Sequence, residues 1–146
     1  MSWNDTAPFS ELTGKSIISI EGAVKGSQEV WITCSDLTQY VLRHHHDCCE
    51  YVRVEDVAGD PADLVGQQVM LAEEVSNRDD PPQDADSFTW TFYKLRTHGG
   101  DLTIRWLGES NGYYSEGVDV ERVLAPLASL TPSQQVLRDS LLERGL

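Results

Sequence analysis

Hydrophobic and polar residues alternate with a period of two along most of this sequence, and this alternation limits the fold more than any other feature. The clearest case is Phe88–Thr97, in which large aromatic side chains alternate with threonine. Leu102–Leu107 repeats the pattern after a short turn at His98–Asp101. Period-two alternation is typical of half-buried strands in an antiparallel sheet, so these two segments predict a pair of neighbouring strands.

The alternation divides the chain into about eight candidate strands, separated by short segments rich in turn-forming residues. They are Ser16–Glu21, Glu29–Cys34, Gln39–His44, Tyr51–Val57, Gln68–Val75, Phe88–Thr97, Leu102–Leu107 and Tyr113–Val120. We therefore predict an all-β or β-rich α+β fold, with a twisted antiparallel sheet or sandwich over residues 9–122. The whole chain, residues 1–146, is short enough to form a single domain.

Turn and helix signals complete the predicted organisation. Asp60 followed by proline is typical of an N-cap and a first helical position, and a single turn fits there. Asn111-Gly112 predicts a two-residue type I′ hairpin turn that leads into the last strand. An amphipathic segment that opens with Pro132 predicts a C-terminal helix over residues 131–144.

The chain is strongly acidic, with 24 Asp and Glu residues against 11 Lys and Arg and a formal net charge of −13. Such a surface repels phosphate backbones and anionic lipids, so we expect neither nucleic acid nor a membrane as a partner. The sequence shows no membrane-length hydrophobic run and no basic-then-apolar leader, and we expect a cytoplasmic protein. Three cysteines, two of them adjacent, predict reduced thiols rather than a disulfide framework.

Most of the negative charge lies in residues 47–86, which hold twelve acidic side chains and two arginines. Solvated strand edges and a polar loop over residues 77–87 are one interpretation. A negative face for a basic partner, or a mimic of nucleic-acid phosphate, is the second. Binding of a hard cation is the third, although Asp79–Asp86 lacks the ligand spacing of a calcium loop.

The most reactive segment is His44–Glu50, which contains three histidines, two cysteines and two acidic residues. If it is extended, His44, His46 and Cys48 share one face and could supply part of a zinc site. We predict no metal, because structural zinc sites usually pair two ligand clusters. The cysteines otherwise fill space at a strand junction, and a redox role is opposed by strain in the ring that adjacent cysteines close. The candidate polar site residues are His44, Asp47, Cys48, Cys49, Glu50 and Glu73.

Aromatic and polar side chains also converge on the last predicted strands. Alternate residues of adjacent strands can line one concave face, and flat rings with an arginine and amides suit a small polar or nucleotide-like ligand. The candidate ligand-binding residues are Trp90, Tyr93, Arg105, Ser110, Asn111, Tyr113, Tyr114 and Glu116. The alternative is a sheet core with tyrosine hydroxyl groups at its rim.

Long strings of polar and aromatic residues stand out from the hydrophobic pattern. They are Asp47-Cys48-Cys49-Glu50 with Val54-Glu55-Asp56-Val57, Ala72-Glu73-Glu74 with Thr89-Trp90-Thr91-Phe92-Tyr93, and Ile104-Arg105-Trp106 with Ser110-Asn111-Gly112-Tyr113-Tyr114-Ser115-Glu116. Together these strings resemble an uncharacterised family of small phage and prophage proteins. The resemblance covers roughly residues 9–120 and leaves out the predicted C-terminal helix.

This family carries no assigned activity, so the resemblance implies a mobile-element origin and not a reaction. The chain departs from the family at His46, where glutamine is expected, and this departure weakens a metal site that uses His46. The polar positions that the resemblance singles out are Asp47, Glu50, Glu73, Arg105, Ser110, Asn111, Tyr113, Tyr114 and Glu116.

These observations predict a non-enzymatic phage or prophage accessory protein in the host cytoplasm. It would bind a small polar ligand or a host protein, need no cofactor, and interfere with host defence. An acidic interaction or nucleic-acid-mimic module is the first alternative. A small metal-assisted hydrolase, with Glu50, Glu73 and Glu116 gathered around His44, is the second. The amphipathic helix predicts a homodimer interface, unless it packs on its own sheet.

Overall fold

The structure, a computed structural model, describes residues 5–79 and 86–124, and nine β-strands lie in these ranges. In chain order they are β1 (Asp5–Thr6), β2 (Ile17–Glu21), β3 (Glu29–Cys34), β4 (Thr38–Arg43), β5 (Tyr51–Ala58), β6 (Leu71–Asn77), β7 (Ser87–Thr97), β8 (Gly100–Ser110) and β9 (Asp119–Leu124). Two short 3₁₀ helices, Phe9–Leu12 and Pro61–Leu64, precede β2 and β6. The predicted β-rich class is confirmed.

The strands form two antiparallel sheets. The first sheet has the order β1-β9-β4-β3-β2, and the second has the order β5-β8-β7-β6. β7 and β8 form a long hairpin, in which Phe88 lies opposite Glu109 and Thr97 lies opposite Gly100. This hairpin is the strand pair that the alternation over residues 88–107 predicts.

The hydrophobic core lies between the two sheets, because alternate side chains of each strand point inward. Buried side chains of both sheets belong to one cluster: Val30, Ile32, Tyr40 and Leu42 from the first, and Val52, Val54, Tyr93, Leu95, Ile104 and Trp106 from the second. The two sheets therefore pack face to face, as in the predicted sandwich.

The local signal at Asp60 is confirmed. The Asp60 side chain accepts a hydrogen bond from the Ala62 amide at 3.0 Å, and the 3₁₀ helix Pro61–Leu64 begins directly after this cap. Leu64 is fully buried in the core. This single turn therefore anchors the segment of chain that connects β5 to β6.

The predicted hairpin at Asn111-Gly112 is wrong. β8 ends at Ser110 and is paired with β5 on one edge and with β7 on the other, so it has no free edge for a returning strand. Residues 111–118 instead lead from the second sheet to the first, where β9 pairs with β4 and β1. We call this segment the β8–β9 crossover. The strand predicted at Tyr113–Val120 lies at Asp119–Leu124.

Some predictions fall outside the described residues. The C-terminal helix over residues 131–144 lies there, as does the homodimer interface expected from it, and so do residues 80–85 of the predicted polar loop. The single-domain boundary over residues 1–146 therefore stays a prediction. Over residues 5–79 and 86–124, the structure contains no helix long and apolar enough to span a membrane.

The β8–β9 crossover packs directly against β8 at Gly108. A Cβ atom added at Gly108 would lie 2.2 Å from the Glu116 carbonyl oxygen and 2.8 Å from the Glu116 Cβ. Both distances are far below van der Waals contact, so only glycine allows the crossover backbone to approach this strand so closely. Gly108 therefore fixes the path by which the chain returns to the first sheet.

Replacing Gly108 by alanine is expected to lower the free energy of unfolding by about 2 kcal/mol, because the added methyl group displaces the crossover backbone. Gly117→Ala is the matched control, since a Cβ there would meet Ser115 Oγ at 3.8 Å. The control is expected to stay within about 0.5 kcal/mol of the wild type. Urea unfolding followed by tryptophan fluorescence measures both, and equal stabilities of the two variants would contradict the packing at Gly108.

Candidate functional site

The segment His44–Glu50 connects the two sheets. β4 ends at Arg43 in the first sheet, and β5 begins at Tyr51 in the second. We call this segment the β4–β5 connection. It contains all but one of the polar site candidates that the sequence singles out, the exception being Glu73 on β6.

The three histidines of this connection alternate in direction, as an extended segment predicts. His44 and His46 line the same cavity. His45 instead contacts the carboxylate of Glu121 on β9, which also accepts a hydrogen bond from the Arg43 guanidinium at 2.9 Å. These two hydrogen bonds and the nearby positive charges outweigh burial, so the pKa of Glu121 lies below its usual value.

Glu50 is the buried centre of the connection, and its side chain has no exposed surface. Its Oε1 accepts hydrogen bonds from the amides of Cys48 at 2.7 Å and Asp47 at 3.1 Å, and its Oε2 lies 3.1 Å from His44 Nε2. Burial raises the pKa of Glu50, but the Cys48 amide, the His44 ring and further backbone amides outweigh burial and lower it to about 2. Glu50 is therefore a fixed anionic acceptor and not a general acid.

His44 is held from two sides. Its Nδ1 lies 2.7 Å from the carbonyl oxygen of Gly117, and its Nε2 faces the carboxylate of Glu50. A carbonyl oxygen and a carboxylate oxygen thus flank the ring, one at each nitrogen. The side chain is 6% exposed, so one nearly buried ring links the β4–β5 connection to the β8–β9 crossover.

A cavity of about 270 Å³ lies beside this ring and is lined by Gln28, His44, His46 and Val52. We call it the histidine pocket. Gln28 precedes β3 and Val52 lies on β5, so both sheets contribute to its wall. The volume is just below the usual range for ligand sites, about 300 to 1,000 Å³, and suits a small molecule or part of a larger one.

Cys48 and Cys49 are exposed and are joined by a vicinal disulfide. The structure thus differs from the predictions of reduced thiols and of core-filling side chains, since neighbouring cysteines in this bend bring their sulfur atoms together. Cys34, by contrast, is a free and fully buried thiol on β3, as its place in the alternation predicts. Burial raises the pKa of Cys34 to about 11, so its thiol is unreactive.

The zinc alternative gains no support from the described part of the chain, where no three His, Cys, Asp or Glu side chains are arranged to hold a metal ion. Both nitrogens of His44 already have hydrogen-bond partners, and His45 contacts Glu121 outside the pocket. Of the predicted ligands, His44 thus has partners at both nitrogens, His46 has one at Nε2, and Cys48 is bonded to Cys49.

Glu116 forms a second buried cluster, in the β8–β9 crossover. It accepts hydrogen bonds from the hydroxyl groups of Thr89 at 2.9 Å and Ser110 at 2.5 Å. Burial raises the pKa of Glu116, but the Ser110, Ser87 and Thr89 hydroxyl groups outweigh burial, and the pKa lies below its usual value. This cluster ties the crossover to the open end of the β7–β8 hairpin.

The three carboxylates of the hydrolase alternative have separate surroundings. Glu50 belongs to the His44 network and Glu116 to the Thr89 cluster. Glu73 is exposed on β6, in register with Lys94 of β7. These three carboxylates are therefore not gathered around His44, although Glu50 contacts its ring.

The structure divides the predicted ligand-binding residues among three places. Tyr93 is fully buried between the sheets, and its hydroxyl group donates to the carbonyl oxygen of Val118 at 3.3 Å. Trp90 lies on the outer face of the second sheet, with the Arg105 guanidinium 4.6 Å from a ring centre. The residues at the end of β8 and in the crossover are Ser110, Asn111, Tyr113, Tyr114 and Glu116. They do not line a single concave face.

Arginine side chains on the outer face of the second sheet form ion pairs with some residues of the acidic segment. Arg53 stacks over the ring of Tyr51 at 4.4 Å and forms an ion pair with Glu55 at 3.3 Å. Arg105 lies 3.5 Å from Asp56. These acidic residues therefore have structural partners, which agrees with the interpretation of the acidic segment as a solvated sheet surface.

The chain belongs to the family of a domain of unknown function, DUF7448, whose family model matches residues 10–120. The match covers more than half of the chain and includes every predicted site residue from His44 to Glu116. It agrees with the resemblance to an uncharacterised family. Neither a curated protein nor a solved structure matches the chain.

Sequence reasoning missed three residues of this region. Gln28 and Val52 line the histidine pocket, and Gly117 supplies the carbonyl oxygen that holds His44. Val52 carries an inward-facing strand signal that predicts burial but not a pocket. Gln28 and Gly117 lie outside the strands, and no pattern around them predicts a contact far away in the sequence.

Replacing Glu50 by glutamine is expected to lower the Tm at neutral pH, and this difference is expected to shrink in acid. The folded-state pKa of Glu50, about 2, lies below its ordinary value of 4.5. Ionised Glu50 therefore stabilises the fold fully above pH 4.5, and this contribution is lost as the pH falls through about 2.

Circular dichroism melting of both proteins, at neutral pH and at stepwise lower pH, measures the difference in Tm. Glu73→Gln removes an exposed carboxylate and is the matched control, for which little difference is expected at any pH. A difference for Glu50→Gln that stays the same down to about pH 2 would show that the folded protein does not hold an ionised Glu50.

Proposed function

We propose that this protein is a non-enzymatic binding protein for a small polar ligand, and that the ligand binds in the histidine pocket. The observation that carries the proposal is a cavity of about 270 Å³ beside a histidine ring that is fixed on both sides. Both ring nitrogens already have partners, so the ring contributes an ordered wall to the pocket. A ligand that packs on an ordered wall does not pay the entropic cost of ordering it.

The lining of the pocket indicates the chemistry of the ligand. His46 is 62% exposed, and its Nε2 is occupied by the carbonyl oxygen of Glu50 at 2.9 Å. Gln28 adds an amide side chain to the lining, and Val52 supplies a hydrophobic wall. The lining residues that the structure describes include no carboxylate, so a small ligand with acceptor oxygens, such as a phosphate or carboxylate group, is favoured.

The nucleotide-like ligand remains part of the proposal, but with a different contact surface. Trp90 and Tyr93 are buried and do not stack on a ligand from solution, whereas Tyr113 is 89% exposed. In this proposal a nucleotide places its phosphate in the histidine pocket, and none of these three rings is assigned to its base. Long polyanions are still disfavoured, because the net charge of −13 repels them as a whole.

The biological setting is proposed from the resemblance alone. A small phage or prophage accessory protein in the host cytoplasm that captures a ligand would act by sequestration. Interference with host defence is the corresponding role. This step rests on the likeness of the polar strings and not on the geometry of the pocket.

The two alternatives have weaker support. The hydrolase requires carboxylates around His44, and Glu50 is held as an acceptor by backbone amides. The acidic interaction module requires an unpaired negative face, whereas Glu55 and Asp56 have arginine partners. The arginine partners of these two residues therefore weaken the support for a host protein that would bind this part of the acidic surface.

Titration of the full chain with inorganic phosphate, and separately with adenosine monophosphate, tests the pocket. Binding is expected to shift the NMR signals of the His44 and His46 rings, because both rings line the cavity. The Gln28→Ala variant is expected to bind about fivefold more weakly, since it loses a polar contact worth about 1 kcal/mol. Isothermal titration calorimetry gives the affinities.

His98→Ala is the matched control, because His98 is exposed in the turn between β7 and β8. Its affinity is expected to equal that of the wild type. Native mass spectrometry of protein purified from expressing cells gives an independent test, through a bound mass that leaves on denaturation. Unchanged histidine signals with both probes, together with a bare native mass, would refute the proposal.

A further inference from the structure

We propose that Cys48 and Cys49 form a reversible thiol–disulfide site, and that the oxidation state of this pair sets the geometry of the histidine pocket. The cysteines lie in the β4–β5 connection, between the pocket residue His46 and the buried carboxylate of Glu50. Both are exposed, and they are bonded to each other. This inference does not depend on which ligand the pocket binds.

The first link between the cysteines and the pocket is a short hydrogen bond. The Cys48 amide donates to Glu50 Oε1 at 2.7 Å, and the other carboxylate oxygen lies 3.1 Å from His44 Nε2. The disulfide closes a ring that includes the peptide bond between Cys48 and Cys49, so it restrains the backbone directly beside this donor. Opening the ring frees that backbone, and the change reaches His44 through a single carboxylate.

The second link is the backbone of Glu50, which follows Cys49 directly. Its carbonyl oxygen accepts from His46 Nε2 at 2.9 Å, and its Oε1 lies 3.6 Å from the same nitrogen. A change at the cysteine pair therefore moves the acceptors of both pocket histidines. A buried carboxylate that loses a hydrogen-bond donor is destabilised. A shift of the Cys48 amide therefore changes the conformation of the whole β4–β5 connection and not only that of the two cysteines.

The chemistry is thiol–disulfide exchange with a small-molecule thiol of the glutathione class. A thiolate of the small molecule attacks one protein sulfur, the S–S bond breaks, and a mixed disulfide forms with one protein thiol released. A second small thiol then attacks the mixed disulfide. The protein gains two hydrogens as a dithiol, and the two small thiols lose two hydrogens as their disulfide. Oxidation is the reverse reaction.

The exchange is confined to the exposed pair. Cys34 is fully buried in the core on β3, and its thiol is not accessible to a small-molecule disulfide. It therefore provides an internal reference in labelling experiments. A thiol that reacts in the folded protein belongs to Cys48 or Cys49.

The test uses the full chain in glutathione buffers of graded redox ratio. Alkylation followed by peptide mass mapping gives the oxidation state of the pair, and the reduced form is heavier by two hydrogens. NMR of the histidine rings, recorded in the same buffers, is expected to show shifts of the His44 and His46 signals that follow the same titration curve. The His98 signals are expected to stay unchanged, because His98 lies in the distant β7–β8 turn.

Two variants separate the redox effect from other causes. The double variant Cys48→Ser, Cys49→Ser is expected to show histidine signals like those of the reduced wild type and no response to the buffers. Cys34→Ala is expected to titrate like the wild type. The proposal is overturned if both exposed cysteines remain alkylatable after treatment with oxidised glutathione. It is also overturned if the wild-type pair titrates while the His44 and His46 signals stay fixed, an outcome that requires no variant to fold.

Discussion

The ring of His44 joins the two places where the chain passes between the sheets. Between β2 and β9, the chain leaves the first sheet after β4 and returns to it after β8. His44 belongs to the outgoing connection, and its Nδ1 donates to Gly117 in the returning crossover at 2.7 Å. This hydrogen bond therefore joins the two connections of the sandwich.

The His44 ring, which forms this joint, faces the buried negative charge of Glu50. A carboxylate with no exposed surface is costly to bury unless donors surround it, and Glu50 has two backbone amides and the His44 ring as partners. The backbone amides are available because residues 44–50 form neither strand nor helix, so their N–H groups are not used by a sheet. The irregular backbone of this segment thus supplies two of the donors that stabilise the buried charge.

The strands could be predicted because alternation is a local property, and the hairpin of β7 and β8 followed from it. The hairpin turn predicted at Asn111-Gly112 is wrong for a reason that local sequence cannot show. A strand has two edges, and β8 uses one for β5 and the other for β7, so the chain after Ser110 has to leave the sheet. The pairing with β5 joins residues about fifty positions apart, and a turn propensity cannot outweigh it.

The histidine alternation could be predicted in the same way, whereas the aromatic ligand face could not. Trp90 and Tyr93 are three positions apart, and an odd spacing in a strand places two side chains on opposite faces. The burial of Glu50 could not be predicted from the sequence, because an acidic residue next to two cysteines is typical of an exposed position. Glu50 nonetheless determines the chemistry of the site, because it contacts both pocket histidines. The exposed sulfur atoms of Cys48 and Cys49 lie within two residues of it in the sequence. Coupling between the sulfur pair and the pocket then follows from covalent adjacency, and no long-range pathway through the core is needed.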